Sequence, residues 1–160
     1  MLFRSAYEYN AAGYLTAIVA PPDHPGAARA RRTFTYEPDS GLLASSTDAA
    51  GRTATYAYDA RNRIQVITYA DGSTETWTYG SSVDANLVVA QTDRNGNATT
   101  IAYDGHGRDI GRTVAAGSPV AITATTTWLS GVNDQPTSRT VAGETTTFGT
   151  TGKLRHSDLV

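Results

Sequence analysis

Three histidines, His24, His106 and His156, are the side chains with the plainest potential for acid–base chemistry. A hydrolase must bring a nucleophile, a base and an orienting group together. These histidines are far apart in sequence, each in a turn or terminal segment, with no nucleophile elbow and no metal-binding His pair beside them. They read as solvent-exposed turn residues. Asp59 and Asp104 have the residue type for sugar cleavage, which needs two carboxyls facing each other across a substrate. Their equivalent places in a repeated pattern make them acceptors for turn amides instead. Asp93-Arg-Asn95-Gly-Asn97, with Asp104 at the twelfth place, imitates part of a calcium loop. Its sixth place, where such a loop needs glycine, is Ala98, and the flanks read as strands, so a hairpin turn is expected. No catalytic residue, no metal site and no cofactor is expected.

Binding chemistry has fewer candidates. Trp77 and Trp128 offer ring faces on which sugars stack, which makes them the candidate ligand contacts for glycans, although Trp77 also occupies the repeat's own aromatic position. Asn97-Ala-Thr99 is a glycosylation acceptor only in a eukaryotic secretory protein. Arg29, Arg31 and Arg32 have the charge to dock a phosphate, but beside a Pro/Gly-rich stretch they read as solvated loop charges. With 13 basic and 15 acidic residues otherwise evenly scattered, electrostatic capture of nucleic acid is not expected. The chain has no cysteine, which excludes disulfides and thiolate zinc sites. No apolar run approaches the ~20 residues that span a bilayer, so membrane insertion is not expected. Residues 1–10 lack the order of a secretion signal; an exported protein would carry its signal elsewhere or use another route.

The elements that position these residues come from a repeat. Paired positions two residues apart, mostly aromatic, recur as Tyr7/Tyr9, Phe34/Tyr36, Tyr56/Tyr58, Trp77/Tyr79 and Ile101/Tyr103, then more loosely at Trp128 and Phe148. The period is slightly over about 20 residues, with loop insertions. Thr, Ala or Glu alternates with the rings, which is the pattern of a strand with one buried face. After a turn a second alternation follows: Leu15/Ala17/Val19, Leu43/Ser45/Thr47, Ile64/Val66/Thr68, Leu87/Val89 and Ile110/Arg112/Val114. Each unit therefore reads as two strands. Gly13, Gly41, Asn62, Gly107 and Gly152 mark one set of turns; Gly51, Asp71-Gly72, Gly96, Gly117 and Gly143 mark the other.

The longer intervals from Tyr79 to Leu87 and from Trp128 to Pro136 predict longer loops on one rim. Pro21, Pro22, Pro25 and Gly26 predict a loop insertion near residues 20–29. The fold expected is all-β: about six stacked antiparallel hairpins in a single array over 1–160, clearest over 30–117, forming a curved or spiralling sheet. The ends lack a polar cap, so the array is expected to be a fragment of a longer one or to need a partner at each end.

The signature residues of the repeat are Tyr7, Tyr9, Gly13, Phe34, Tyr36, Gly41, Tyr56, Tyr58, Asp59, Arg63, Trp77, Tyr79, Tyr103, Asp104, Gly107 and Arg108. The core Tyr58-Asp59-Ala-Arg-Asn62-Arg63-Ile64, echoed by Tyr103-Asp104-Gly-His-Gly107-Arg108, resembles the YD repeat of the Rhs family. That resemblance implies a segment of a β-shell like those of bacterial Rhs and wall-associated polymorphic toxins, insecticidal toxin complexes and animal teneurins. In the bacterial members the shell encloses a toxic C-terminal domain. It implies partners within the same longer polypeptide, the flanking repeats and the enclosed domain, and a secreted or cell-surface location. Tyr36-Glu37-Pro38-Asp39 echoes that family's self-cleavage segment but falls in an ordinary repeat turn. The alternative expectation is an adhesion or carbohydrate-binding surface.

Overall fold

Thr, Tyr, Val, Ile and Trp dominate the segments between turns, and their branched or aromatic side chains fit a pleated surface. The computed structural model of the protein describes residues 4–24, 26–115, 119, 121–129 and 135–148. These described residues form thirteen strands and no helix. They are β1 (Ala6–Tyr9), β2 (Leu15–Val19), β3 (Arg31–Tyr36), β4 (Leu43–Thr47), β5 (Thr53–Tyr58), β6 (Ile64–Thr68) and β7 (Thr74–Tyr79). The remainder are β8 (Val88–Thr92), β9 (Ala98–Tyr103), β10 (Asp109–Val114), β11 (Ile122–Trp128), β12 (Pro136–Val141) and β13 (Glu144–Thr147).

Two compact units divide the chain, residues 1–75 and 76–160, with the division inside β7. Within the first, β1 to β6 pair antiparallel, each with the next. Within the second, β7 to β13 do the same. The first strands β1, β3, β5 and β7 carry an aromatic pair, β9 pairs Ile101 with Tyr103, and β11 holds the single ring of Trp128.

One turn design recurs on both rims. The Asp59 amide donates to the Arg63 carbonyl at 2.9 Å and the Asn62 amide to the Asp59 carbonyl at 3.0 Å, with Asn62 left-handed at φ 61°. This is a type I turn closed by a left-handed residue, whose twist suits a hairpin. The same two bonds close 10–14, 48–52, 69–73, 93–97 and 104–108. The inserted loop of residues 20–30 is closed by the Ala20 amide on the Ala30 carbonyl at 2.8 Å. Gly117, Gly152 and His156 lie outside the described residues.

The second strands depart from simple alternation. Tyr58 faces Ile64 and Ala57 faces Val66, so the ladder passes over Gln65, and Tyr56 then faces Ile67. Such a β-bulge shifts every later side chain to the opposite face. The aromatic face therefore receives Ile64 and Ile67, not Ile64, Val66 and Thr68. The same shift recurs in the other hairpins, giving Leu15/Ile18, Leu43/Ser46, Val88/Gln91, Asp109/Arg112 and Pro136/Arg139. Two expected positions are corrected by it: Val88, not Leu87, faces Tyr79, and Asp109, not Ile110, faces Tyr103.

Among the described residues only Ala17, Ser46 and Thr99 are buried. The packed layer is instead a set of half-buried rings, including Tyr36, Tyr56, Tyr58, Trp77, Tyr79, Tyr103 and Trp128, while the residues between them, such as Thr35, Ala57 and Thr78, are exposed. Opposite the rings, hydroxyls pair across strands, as in Thr47 with Thr53 at 2.8 Å and Thr140 with Thr145 at 2.8 Å.

Candidate functional site

A tyrosine is an apolar ring with a polar tip, and a bulge disturbs the local ladder of backbone hydrogen bonds; the repeat joins the two. Tyr36 Oη donates to the Leu15 carbonyl at 2.8 Å, Tyr58 Oη to Leu43 at 2.9 Å and Tyr103 Oη to Val88 at 2.8 Å. In each case the acceptor is the residue opposite the second ring of the preceding hairpin, at the start of its bulge. Trp128 keeps the arrangement with a different donor: its Nε1 donates to the Asp109 carbonyl at 3.0 Å. Burial pushes the Tyr58 and Tyr103 hydroxyls above the usual phenol range, with the charge of Glu37 and of Asp109 adding to the effect. Tyr14 stacks on Tyr36 with centroids 4.8 Å apart, and a Cβ at Gly41 would collide with the Tyr14 hydroxyl oxygen.

The aspartates of the motif clasp their own turns. Asp59 Oδ1 accepts the amides of Arg61 at 2.8 Å and Arg63 at 3.1 Å, and Oδ2 accepts Arg63 Nε at 2.7 Å. Asp104 repeats this with His106, Arg108 and Arg108 Nε at 2.9, 3.0 and 2.7 Å. The arginine hydrogen bond, assisted by the turn amides, brings both carboxyls down to about 2. Asp48 is clasped by Arg52 in the same manner. Asp93, the first residue of the calcium-like sequence, directs its oxygens to Asn95 and Asn97.

The three-arginine cluster is likewise engaged. Arg31 forms a two-point ion pair with Glu8 at 2.6 and 2.7 Å, Arg29 donates to the carbonyls of Ala20, Arg4 and Val19, and Arg32 lies 5.3 Å from the Phe34 ring centroid. His24 and His106 lie in loops, and the Asp59 and Asp104 oxygens serve their turns.

The aromatic face changes character within the second unit. Val88/Gln91 gives way to Asp109/Arg112 and Pro136/Arg139. Here a cavity of about 410 Å³ is lined by apolar Trp128, Pro136 and Phe148, by charged Asp109, Arg112 and Arg139, and by Ala124 and Thr126. Arg108 lies 5.2 Å from the Trp128 centroid, which with the indole hydrogen bond fixes that ring. Trp77 sits at the first ring position of its own hairpin, opposite Gln91. Sequence reasoning singled out Trp128 but not Arg112 or Arg139, because their shared face depends on the bulges.

Residues 36–74, which hold β4 to β6 and the Asp59 turn, match the family model described as RHS Repeat. The chain thus carries a repeat of the kind that its Tyr-Asp motif resembles. Among solved structures it is similar to a chain of the Tc holotoxin pore of Photorhabdus luminescens, at 16% identity and a TM-score of 0.49 over 91% of this chain. The match spans 9% of that chain's length. No curated protein matches the chain.

Proposed function

We propose that the chain is a structural, non-catalytic YD-repeat segment of a longer Rhs-type protein, contributing to a β-shell that encloses or presents a C-terminal toxin domain. The observation that carries this reading is the ring-to-carbonyl hydrogen bond recurring from one hairpin to the one before it. Such a bond makes each hairpin complete only against a neighbour, which is what a wall built by repetition requires. The aspartates and arginines that would otherwise suggest chemistry are spent on closing turns. Its partners are then the flanking repeats and the enclosed domain of the same polypeptide, in a secreted or cell-surface protein.

Limited proteolysis of the polypeptide expressed from the complete native reading frame tests this. A domain C-terminal to the repeats should be cut far more slowly in the full protein than in isolation, and Tyr58→Ala with Tyr103→Ala should release that protection. Equal digestion rates in the two contexts would sink the shell reading.

A further inference from the structure

At the cavity in the second unit the first position of the repeat's pair is small and polar. Two residues before the second ring, the earlier hairpins carry Tyr7, Phe34, Tyr56, Trp77 and Ile101; the sixth carries Thr126. The next first strand restores a ring with Phe148, two residues beyond Thr146. The cavity, at about 410 Å³, falls within the range of ligand sites and is large enough for a ring together with the groups beside it. The charges around it are unequal. Asp109 Oδ2 is 3.4 Å from Arg112 Nη2, while Arg139 has no anionic partner among the described residues.

We propose that this cavity binds a peptide through an aromatic residue with a carboxylate beside it. The ring packs beside Thr126 against Trp128, Pro136 and Phe148, and the carboxylate accepts hydrogen bonds from the guanidinium of Arg139, with Arg112 alongside. Arginine suits this because its fork matches a carboxylate at two points. Two arginines against one aspartate favour an anion over a cation. Trp128, Pro136 and Phe148 supply the apolar surface that a ring needs.

Calorimetric titration of the whole chain tests the proposal with four probes: N-acetylphenylalanine, N-acetylphenylalaninamide, N-acetylalanine and the blocked peptide acetyl-Ala-Phe-Asp-Ala-amide. The first and last should bind with similar affinity, the amide about tenfold more weakly and the alanine derivative not detectably. Arg139→Gln should weaken the acid about tenfold and leave the amide unchanged. Thr126→Phe, which places a ring at that position, should abolish binding of the three probes that bind. Equal affinity for acid and amide, or binding indifferent to both substitutions, overturns the site. Binding of the free acid without the blocked peptide overturns a peptide ligand. Arg139 is exposed, so Arg139→Gln keeps the test decisive if Thr126→Phe does not fold.

Discussion

A phenol in place of a phenyl ring matters only if its oxygen has somewhere to go, and for Tyr36, Tyr58 and Tyr103 that is a carbonyl of the preceding hairpin. Removing the hydroxyl from Tyr58 or Tyr103 leaves the Leu43 or Val88 carbonyl without that donor while keeping the ring. Each Tyr→Phe change is expected to cost about 1 kcal/mol in urea unfolding. Tyr14→Phe, a ring whose role is to stack on Tyr36, should cost less. The aspartates make a different prediction. Their folded carboxyls titrate near about 2, below the usual 3.8, so the unfolded chain takes up protons first. Their stabilising contribution is complete above about pH 4 and is lost as pH falls through about 2. Asp59→Asn with Asp104→Asn should flatten the decline of melting temperature between those pH values, and an unchanged slope would show that the clasps do not govern acid stability.

At the scale of the hairpin, the turns and bulges decide which face each side chain meets. Gly41 and Gly51 both have positive φ, at 70° and 79°, so alanine is strained at either. Gly51 has open space where a Cβ would go, whereas at Gly41 the Cβ would strike the Tyr14 ring. Gly51→Ala should therefore cost about 1 kcal/mol and Gly41→Ala clearly more. Tyr14→Ala should erase the difference, which a double-mutant cycle measures. Sequence alone reveals the first strands and turns, because Tyr-x-Tyr-Asp and Asp-x-x-Gly act through neighbours close in the chain. The bulges escape it because Ile64, Val66 and Ile67 are all apolar, so both registers satisfy a simple alternation. The charged end of the aromatic face escapes it for the same reason: Arg112 and Arg139 come together only once the passed-over residues are known.

For the molecule as a whole, the absence of any buried side chain larger than threonine among the described residues is the controlling fact. Without a deep core to couple distant parts, each hairpin draws its stability from the strands beside it and from one ring-to-carbonyl bond. Opening should then spread by one neighbour at a time. Tyr58→Phe removes a bond that joins β5 to β4, within the first unit, while the bond from Tyr103 to Val88 lies within the second. Amide exchange should quicken in β3 to β6 and stay unchanged in β9 to β12. The reciprocal change, Tyr103→Phe, should loosen β8 to β10 alone. Tyr36 and Tyr58 are the instructive pair, because Tyr36 faces Leu43, whose carbonyl takes the Tyr58 hydroxyl. Their double Phe variant should depart from additivity, whereas Tyr58→Phe with Tyr103→Phe should add within about 0.5 kcal/mol. If either single change speeds exchange across all thirteen strands, the hairpins open as one cooperative body, and the hydrogen bond between neighbours is not the unit that holds the array.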